Sequence, residues 1–340
     1  MDSLIDTDRL TPWLAQHVPD MQPPYDVAKI SGGQSNPTFA LHAANGSFVL
    51  RRKPAGVLLK SAHAVDREFR VQSALSGSDI PVPKMFALCQ DPDVLGVDFY
   101  VMEMLDGRVF DDPTLPSIAR VDRLPILREM NRVLAAIHSV DIHAVGLGDY
   151  GPDGNYYRRQ IDRWTKQYRA TQTEDIPEMN ALMAWLDENL PDDDGQRSLV
   201  HGDFRLDNLM FDKHSAECIA VLDWELSTLG HPYADLAAVI MQWAMPATAD
   251  GRGLRGIDRA DQGLMEDQEF IDLYCARRGL AGIDRFGFYL AFCYFRMAGI
   301  LQGVKKRALD GNAADPARGI RLGAFVPEFA RLGLDAAKTV

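Results

Sequence analysis

The apolar positions in the first third of the chain, residues 25 to 104, alternate as they do in β-strands. FALHAANGSFVLRR contains two such runs, and the Asn45-Gly46 pair between them favours the positive φ angles of a tight hairpin. IPVPKMFALCQDPDVLGVDFYVMEML is also strand-like, with interruptions at Pro and Asp. SAHAVDREFRVQSAL instead places its apolar residues at helical intervals, at Val65, Phe69 and Leu75. These patterns predict a sheet accompanied by one helix.

After Gly107 the pattern becomes helical, in RLPILREMNRVLAAIHSV, RRQIDRWTKQYRAT, MNALMAWLDENL and YADLAAVIMQWAM. The longest apolar segment, residues 286 to 304, carries Arg296 at its centre, and a charge there would be costly in a bilayer. We therefore predict a buried helix and no membrane span. With no repeat or long linker, the chain is predicted to form two lobes, residues 1–104 and 105–340, joined near 103 to 107 around a ligand cleft.

Composition narrows the classes of function. The 340 residues carry a net charge of -12, which argues against nucleic-acid binding because phosphate neutralisation needs a broad basic surface. The four cysteines are far apart and form no C-x-x-C pair, so neither a zinc site nor a disulfide framework is predicted. The N-terminal MDSLIDTDRL is acidic and lacks the apolar core of a signal peptide. A cytoplasmic location is therefore expected.

A group of polar residues lies between apolar ends in LVHGDFRLDNLMF, residues 199 to 211. Asp203 and Asn208 are five residues apart and would point to different faces of a helix, so a loop is predicted. The following IAVLDWE delivers Asp223 at the end of a β-like run. Two carboxylates and an amide oxygen on adjacent loops suit a hard cation such as Mg²⁺.

The spacing H-x-D-x-x-x-x-N, followed by a strand-borne Asp, resembles the catalytic and metal-binding loops of protein kinases, although Gly202 replaces the usual Arg and DWE replaces D-F-G. VHGDFRLDNLMF together with VLDWELSTLGHPYADLA resembles the aminoglycoside phosphotransferase family, which is related to choline kinases and fructosamine kinases. The resemblance covers about residues 25 to 310. It implies an α+β, protein-kinase-like bilobal fold: a five-stranded antiparallel sheet with one helix in the N-lobe, and a mainly helical C-lobe.

The resemblance also implies roles for single residues in ATP- and Mg²⁺-dependent phosphotransfer. Asp203 would be the catalytic base, and Asn208 and Asp223 would hold Mg²⁺ on the ATP phosphates. His201 would brace the loop, and Asp235 resembles an Asp that stabilises it. His231 stands where relatives often carry Asp, but a role at the start of the following helix is equally open.

The nucleotide-binding residues come from the first third of the chain. SGGQSNPTF resembles a phosphate-covering loop, formed by Gly32, Gly33 and Ser35. Arg51 stands where the family has a phosphate-pairing Lys and would pair with Glu68, while Lys53 is the alternative and solvated surface charges are the simpler reading of both. FYVMEMLDG resembles the segment whose backbone would bind adenine, at Glu103 and Met104.

The acceptor is the least determined part of the prediction. A basic stripe on one helical face suits an anionic ligand and comprises Arg159, Arg163 and Lys166. With SGGQSNPTF and FRMAGILQGV, this segment resembles phosphotransferase domains related to those fused to acyl-CoA dehydrogenases, which implies a hydroxyacyl group on CoA. Arg296 would help bind the anionic part, or would be a buried Arg neutralised by a neighbouring carboxylate.

Three other functions remain open. The first is a kinase of aminoglycosides, other amino-alcohols or sugars. The second is a non-catalytic nucleotide-binding pseudokinase, although the joint presence of Asp203, Asn208 and Asp223 argues against it. The third is a hydrolase that uses Asp203 and His201. For each of the kinase functions, the expected partner is a small molecule whose hydroxyl group accepts the phosphate.

Overall fold

The computed structural model describes residues 5–30, 36–54, 64–248, 251–313 and 315–339. Its strands are β1 (Asp26–Lys29), β2 (Thr38–Ala43), β3 (Gly46–Arg52), β4 (Met85–Cys89), β5 (Phe99–Glu103), β6 (Arg108–Val109), β7 (Ser198–Val200), β8 (Leu209–Phe211), β9 (Cys218–Val221) and β10 (Thr228–Gly230). Its helices are α1 (Thr7–His17), α2 (Val65–Leu75), α3 (Pro92–Leu95), α4 (Arg120–Ser139), α5 (Tyr156–Thr171), α6 (Pro177–Glu188), α7 (Tyr233–Trp243), α8 (Arg259–Gln262), α9 (Asp267–Arg278), α10 (Phe286–Leu309), α11 (Pro316–Gly323) and α12 (Val326–Ala337).

The described residues form two compact units. The first contains the residues up to 109 together with 141–147 and 208–227, and the second contains 110–140, 148–207 and the residues from 228 onward. The β8–β9 hairpin therefore groups with the N-terminal sheet, although it lies far along the chain. The predicted assignment of nucleotide binding to residues 1–104 and of catalysis to 105–340 is a statement about function and stays a prediction.

The first unit contains the predicted five-stranded antiparallel sheet, in the order β1-β2-β3-β5-β4. The β2–β3 hairpin is confirmed, but of the Asn45-Gly46 pair only Gly46 has the expected positive φ, of 155°. Ala43 pairs with Gly46, so the turn residues are Ala44 and Asn45, and Asn45 does not adopt a positive φ. Instead, the side chain of Asn45 accepts a hydrogen bond from the Gln22 N–H. The prediction of the sheet is still correct, because the alternation of apolar residues along each strand, and not the turn type, determines how the strands pair.

Helix α1 was not predicted from the sequence, yet it covers one face of this sheet. Asp6 caps it by accepting hydrogen bonds from the backbone N–H groups of Asp8 and Arg9. Its buried Leu10 and Leu14 join a core with α3 and the sheet, formed by Val18, Met21, Phe39, Leu41, Phe48, Leu50, Cys89, Val94, Phe99 and Val101. The cap and the i, i+4 spacing of the two leucines were a usable signal.

A second, three-stranded sheet in the first unit has the order β6-β8-β9. Gly107 precedes β6 in a space that admits no side chain: a Cβ there would lie 2.5 Å from the Phe211 carbonyl oxygen and 2.6 Å from Met210 Cγ. The close approach brings the chain onto the β8–β9 hairpin, which carries two of the predicted site residues.

The second unit is mainly helical, and the four helices predicted from periodicity are present as α4, α5, α6 and α7. The long apolar segment forms α10, whose inward face is buried among α5, α7, α11 and α12. No helix among the described residues is long and apolar enough to cross a membrane. Amphipathic packing explains why the apolar pattern of α10 tolerates Arg296, which is half-buried.

The space around Gly107 makes its substitution a test of the first unit. We expect Gly107→Ala to destabilise the protein by about 1–3 kcal/mol, because the added methyl group meets backbone that cannot move cheaply. Gly282→Ala is the control: nothing lies within 4 Å of its Cβ position, so its effect should lie between zero and about 1 kcal/mol of stabilisation. Urea unfolding of both variants measures the difference, and equal free energies of unfolding would contradict the packing described.

Candidate active site

The guanidinium of Arg51 bridges two carboxylates in the first unit. Its Nη2 donates to Asp223 Oδ1 at 2.6 Å, and its Nε lies 2.9 Å from Glu68 Oε2 in an ion-pair contact. Strand β3 supplies the arginine, α2 supplies Glu68, and Asp223 follows β9. The pairing of Arg51 with Glu68 that the sequence predicted is therefore present, and Asp223 is added to it.

Glu68 is fully enclosed, with 1% of its surface exposed. It also accepts hydrogen bonds from Asn36 Nδ2 at 2.7 Å and from the Tyr100 hydroxyl at 3.0 Å. Burial raises the pKa of Glu68 to about 7, while the Arg51 cation and the Tyr100 hydroxyl act in the opposite direction. Burial alone would lower the pKa of Arg51, but its anionic neighbours hold it above the ordinary value. Arg51 thus stays a cation, and this cation together with two hydrogen-bond donors fixes the orientation of Glu68.

Lys53, the alternative phosphate-pairing residue, points to different partners. Its Nζ lies 2.6 Å from Asp98 Oδ2 and 3.7 Å from Asp66 Oδ1. Because neither carboxylate belongs to the Glu68 cluster, Arg51 is the cation of that cluster. Contact of either residue with ATP phosphates stays a prediction.

Asn208 and Asp223 lie at adjacent ends of the β8–β9 hairpin. Leu209 pairs with Val221, and the Leu222 N–H donates to the Asn208 carbonyl oxygen at 2.8 Å. Asp223 has a left-handed backbone, with φ 62° and ψ 56°, which is a strained conformation for a residue with a Cβ. An amide oxygen and a carboxylate on neighbouring residues of one hairpin are the donor types that Mg²⁺ prefers.

A dedicated protein metal cage is absent from the part of the chain that the structure describes, since no group of three or more His, Cys, Asp and Glu side chains could hold a metal there. Mg²⁺ at nucleotide sites takes one or two protein ligands, completed by phosphate oxygens and water. The two oxygen donors of Asn208 and Asp223 fit that ligand set, and their binding of Mg²⁺ stays a prediction.

One of the two residues whose backbone was predicted to bind adenine already uses its N–H group in another hydrogen bond. The Glu103 N–H donates to the Lys84 carbonyl oxygen at 2.8 Å within the sheet, so it cannot also donate to a base. Met104, just after β5, is exposed. An adenine ring would therefore need the Met104 N–H as its donor from this stretch. The predicted phosphate-covering residues Gly32, Gly33 and Ser35 lie outside the described residues.

In the second unit, Asp235 holds the loop that carries Asp203. The carboxylate of Asp235 is buried and accepts hydrogen bonds from the backbone N–H groups of His201 at 2.6 Å and Gly202 at 2.9 Å. His138 Nε2 lies 3.4 Å from the same carboxylate. Burial opposes ionisation of Asp235, but the contacts with His138 and these N–H groups keep its pKa below the usual value. The loop is thereby fixed through its backbone.

This arrangement explains why Gly202 stands where protein kinases have Arg. Gly202 has a φ of 85°, in the region that favours glycine, and it uses both backbone groups: its N–H donates to Asp235 and its carbonyl accepts from Arg296. The next residue, Asp203, donates its N–H to His201 Nδ1 at 3.3 Å. The bracing contact expected of His201 is thus present.

A cluster of charges beside Asp203 was not predicted. Arg205 Nε lies 3.5 Å from Asp203 Oδ1, and Arg205 Nη2 lies 2.7 Å from Asp207 Oδ2. Arg252 Nη1 reaches the same Asp207 oxygen at 2.6 Å. Two cations therefore share one largely buried carboxylate next to the predicted base. Local motifs gave no signal for Arg252, because it lies 45 residues from Asp207 in sequence.

The predicted acceptor residues differ in their surroundings. Arg296 donates to the Gly202 carbonyl at 2.9 Å and lies over Trp164. No ion pair joins it to a carboxylate among the described residues, so these residues give no support to the alternative of a carboxylate-paired Arg. Arg159 donates to the carbonyl oxygens of the loop residues Asp153 and Gly154. The other two members of the stripe, Arg163 and Lys166, are exposed on α5. A role for the stripe in binding stays a prediction.

The fold and these residues define a kinase-type phosphotransferase whose acceptor is an alcohol group. A model of the phosphotransferase enzyme family matches residues 26–274, most of the chain. The chain therefore belongs to this phosphotransferase family and has its α+β, protein-kinase-like fold.

Individual relatives support the assignment to this family. A Ralstonia eutropha protein of known crystal structure, classed by its name among the aminoglycoside phosphotransferases, is 46% identical, with a TM-score of 0.91 and 98% of each chain covered. Acyl-CoA dehydrogenase family member 10 of Mus musculus is 44% identical over 315 residues, which are 92% of this chain but 29% of that protein. The chain thus spans less than a third of this relative.

A more distant structure shows the fold alone. It is a thermostable mutant of the aminoglycoside phosphotransferase APH(4)-Ia in ternary complex with AMP-PNP and hygromycin B. It is 15% identical, with a TM-score of 0.62 and coverage of 92% of this chain and 95% of that chain.

The separate partners of Arg51 and Lys53 allow their roles to be separated. We expect Arg51→Gln to raise the KM for ATP at least about tenfold, since a charge-assisted hydrogen bond is worth about 1.5–3 kcal/mol. Lys53→Gln, the matched control, should change it less than about twofold because its surface ion pairs contribute little. Steady-state kinetics on folded samples of both variants measures this, and an unchanged KM in the Arg51 variant would remove its assigned role.

Proposed function

We propose that this protein transfers the γ-phosphate of ATP to the hydroxyl group of a hydroxyacyl chain carried on CoA. The observation that carries the phosphotransfer is the bridge from Arg51 to Glu68 and Asp223, because it fixes a cation beside a predicted metal ligand. The proposed acceptor rests on the similarity to an acyl-CoA dehydrogenase family member and on the cations near Asp203.

In this proposal the first unit binds the nucleotide. Arg51 contacts the α- and β-phosphates, and Met104 contributes its backbone N–H to adenine. Asn208 and Asp223 hold Mg²⁺, which when bound neutralises charge that develops on the phosphates. The complex of a distant neighbour with AMP-PNP supports ATP as the donor.

In the same proposal, Asp203 acts on the hydroxyl group of the acceptor. Its carboxylate orients the hydroxyl group and takes its proton as the oxygen attacks the γ-phosphorus. One P–O bond forms to the acceptor, the bond between the γ-phosphorus and the β,γ-bridging oxygen breaks, and ADP leaves with the electron pair. Asp235 acts through the backbone of the loop and so positions Asp203 without touching the substrate.

The charges of the catalytic loop favour an anionic acceptor over a polycation. Arg205 and Arg252 pair with Asp203 and Asp207, so the positive charge in excess is that of Arg296, which donates to the Gly202 carbonyl. Like charges would disfavour an aminoglycoside at this position. The stripe of Arg159, Arg163 and Lys166 would extend the basic character along α5. An aminoglycoside, amino-alcohol or sugar acceptor is the alternative, supported by the name of the Ralstonia relative.

Substitution of Asp203 and substitution of Asp223 should impair different steps of the reaction. Asp203→Ala should lower kcat by at least about a thousandfold and leave the affinity for Mg-ATP within about twofold, because Asp203 faces the acceptor. Asp223→Ala should weaken Mg-ATP binding at least about tenfold. Calorimetric titration of nucleotide and turnover assays measure both quantities. Wild-type turnover in the Asp203 variant would exclude it as the base.

The acceptor is tested by a panel of hydroxyacyl-CoAs, free hydroxy acids, aminoglycosides, choline and sugars. We expect phosphoryl transfer to hydroxyacyl-CoAs with a kcat/KM at least about a hundredfold above every cationic acceptor, because binding energy at the acceptor site sets this ratio. Mass spectrometry of the phosphorylated product identifies it. ATP turnover that is equal with and without acceptors would indicate a hydrolase, and nucleotide binding without turnover would indicate a pseudokinase.

A further inference from the structure

An open apolar groove lies in the second unit, beside the catalytic loop. Helices α10, α11 and α12 and the segment after α7 form its walls, and its cavity volume is about 210 Å³. Six of its apolar side chains are Met245, Met297, Leu301, Leu322, Phe325 and Phe329. Phe325 is 36% exposed although it is large and aromatic. The groove thus exposes apolar surface that a ligand could cover.

Arg205 connects this groove to the catalytic loop. It lines the groove, and its Nε lies 3.5 Å from the carboxylate of Asp203. Arg252, which also lines the groove, reaches Asp207 from the same side. Arg205 therefore connects the lining of the groove with the catalytic loop.

Arginines are the most frequent charged residues in the lining of the groove, and two of them also pair with Asp207, which lies outside the lining. Three arginines line it, Arg205, Arg252 and Arg318, against one acidic lining residue, Glu328. The carboxylate of Glu328 is paired with Arg255 at 2.9 Å. Apolar walls with an excess of guanidinium groups complement a hydrocarbon chain attached to an anionic carrier, and they do not complement a polycation.

We propose that this groove binds the hydrocarbon chain of the acceptor's acyl group, so that its walls set the chain length that the enzyme prefers. The inference rests on the proposed function, because it takes the acceptor to be a hydroxyacyl-CoA. The hydroxyl group then lies at Asp203, and the chain extends past Arg205 between α10 and α12. Leu322 and Phe325 are specificity-determining residues, since they present apolar surface to the chain without reaching the reacting atoms.

Substitutions in α11 and just after it test the groove. Leu322→Trp narrows it and Phe325→Ser removes an apolar wall, so each should lower the ratio of kcat/KM for a twelve-carbon over a five-carbon hydroxyacyl-CoA at least about tenfold. The wild-type ratio should be larger than one, because each buried methylene favours the long chain by about two- to fourfold. Ile320→Trp is the matched control: Ile320 is 46% exposed on the same helix and does not line the groove, so the ratio should stay within about twofold.

A binding measurement separates this inference from the proposed function. Dodecanoyl-CoA and acetyl-CoA lack the acceptor hydroxyl, so their affinities, measured by calorimetry, do not depend on phosphotransfer. We expect dodecanoyl-CoA to bind at least about tenfold more tightly than acetyl-CoA, and Leu322→Trp to remove most of this difference. Transfer to hydroxyacyl-CoAs with a chain-length ratio unchanged in both groove variants would overturn the groove assignment and leave the proposed function intact. Chain-dependent binding with no hydroxyacyl-CoA phosphorylated would overturn the proposed function alone.

Discussion

The burial of one guanidinium between two carboxylates is the constraint on which the packing of the first unit around β3 depends. A buried cation without partners would cost several kcal/mol, so Glu68 and Asp223 must stay near Arg51 for the sheet to pack as it does. This requirement ties β3, α2 and the end of β9 together. It also explains the presence of Arg where relatives have Lys, because a planar guanidinium reaches two carboxylates with separate nitrogens while an ammonium acts as a point charge.

The second unit uses the opposite arrangement, a buried anion held by backbone donors. Asp235 is satisfied by two N–H groups of the loop before Asp203, so the loop conformation depends on backbone contacts rather than on the identity of its side chains. Gly202 can then replace the Arg of protein kinases, and its left-handed φ is a reason for the glycine. The carbonyl oxygen of Gly202 accepts a hydrogen bond from Arg296, which brings a cation to the loop from the apolar part of α10.

Local periodicity predicted the sheet, the Glu68 helix and the main helices of the second unit, because each buries one face of a regular element. The resemblance to the phosphotransferase family also implied the pairing of Arg51 with Glu68, which the structure contains. Helix α1 was not predicted, because its signals are limited to one capping residue and two leucines. The Asn45-Gly46 pair predicted the wrong φ for Asn45. Contacts such as that of Arg252 with Asp207 could not be predicted, since they join distant segments and no local pattern records them.

The same distinction explains why net charge is a poor guide to the acceptor. The chain carries -12 overall, and an acidic protein suggests a cationic substrate. Charges on exposed surface are screened within about 10 Å at ordinary ionic strength, whereas partly buried groups beside the reacting atoms act in a lower dielectric. Around the catalytic loop those groups are Arg205, Arg252 and Arg296 with the carboxylates Asp203 and Asp207, so Arg296 alone has no ion-pair partner among the described residues. In the proposed function this local cation, and not the net charge of the chain, would meet an anionic acceptor.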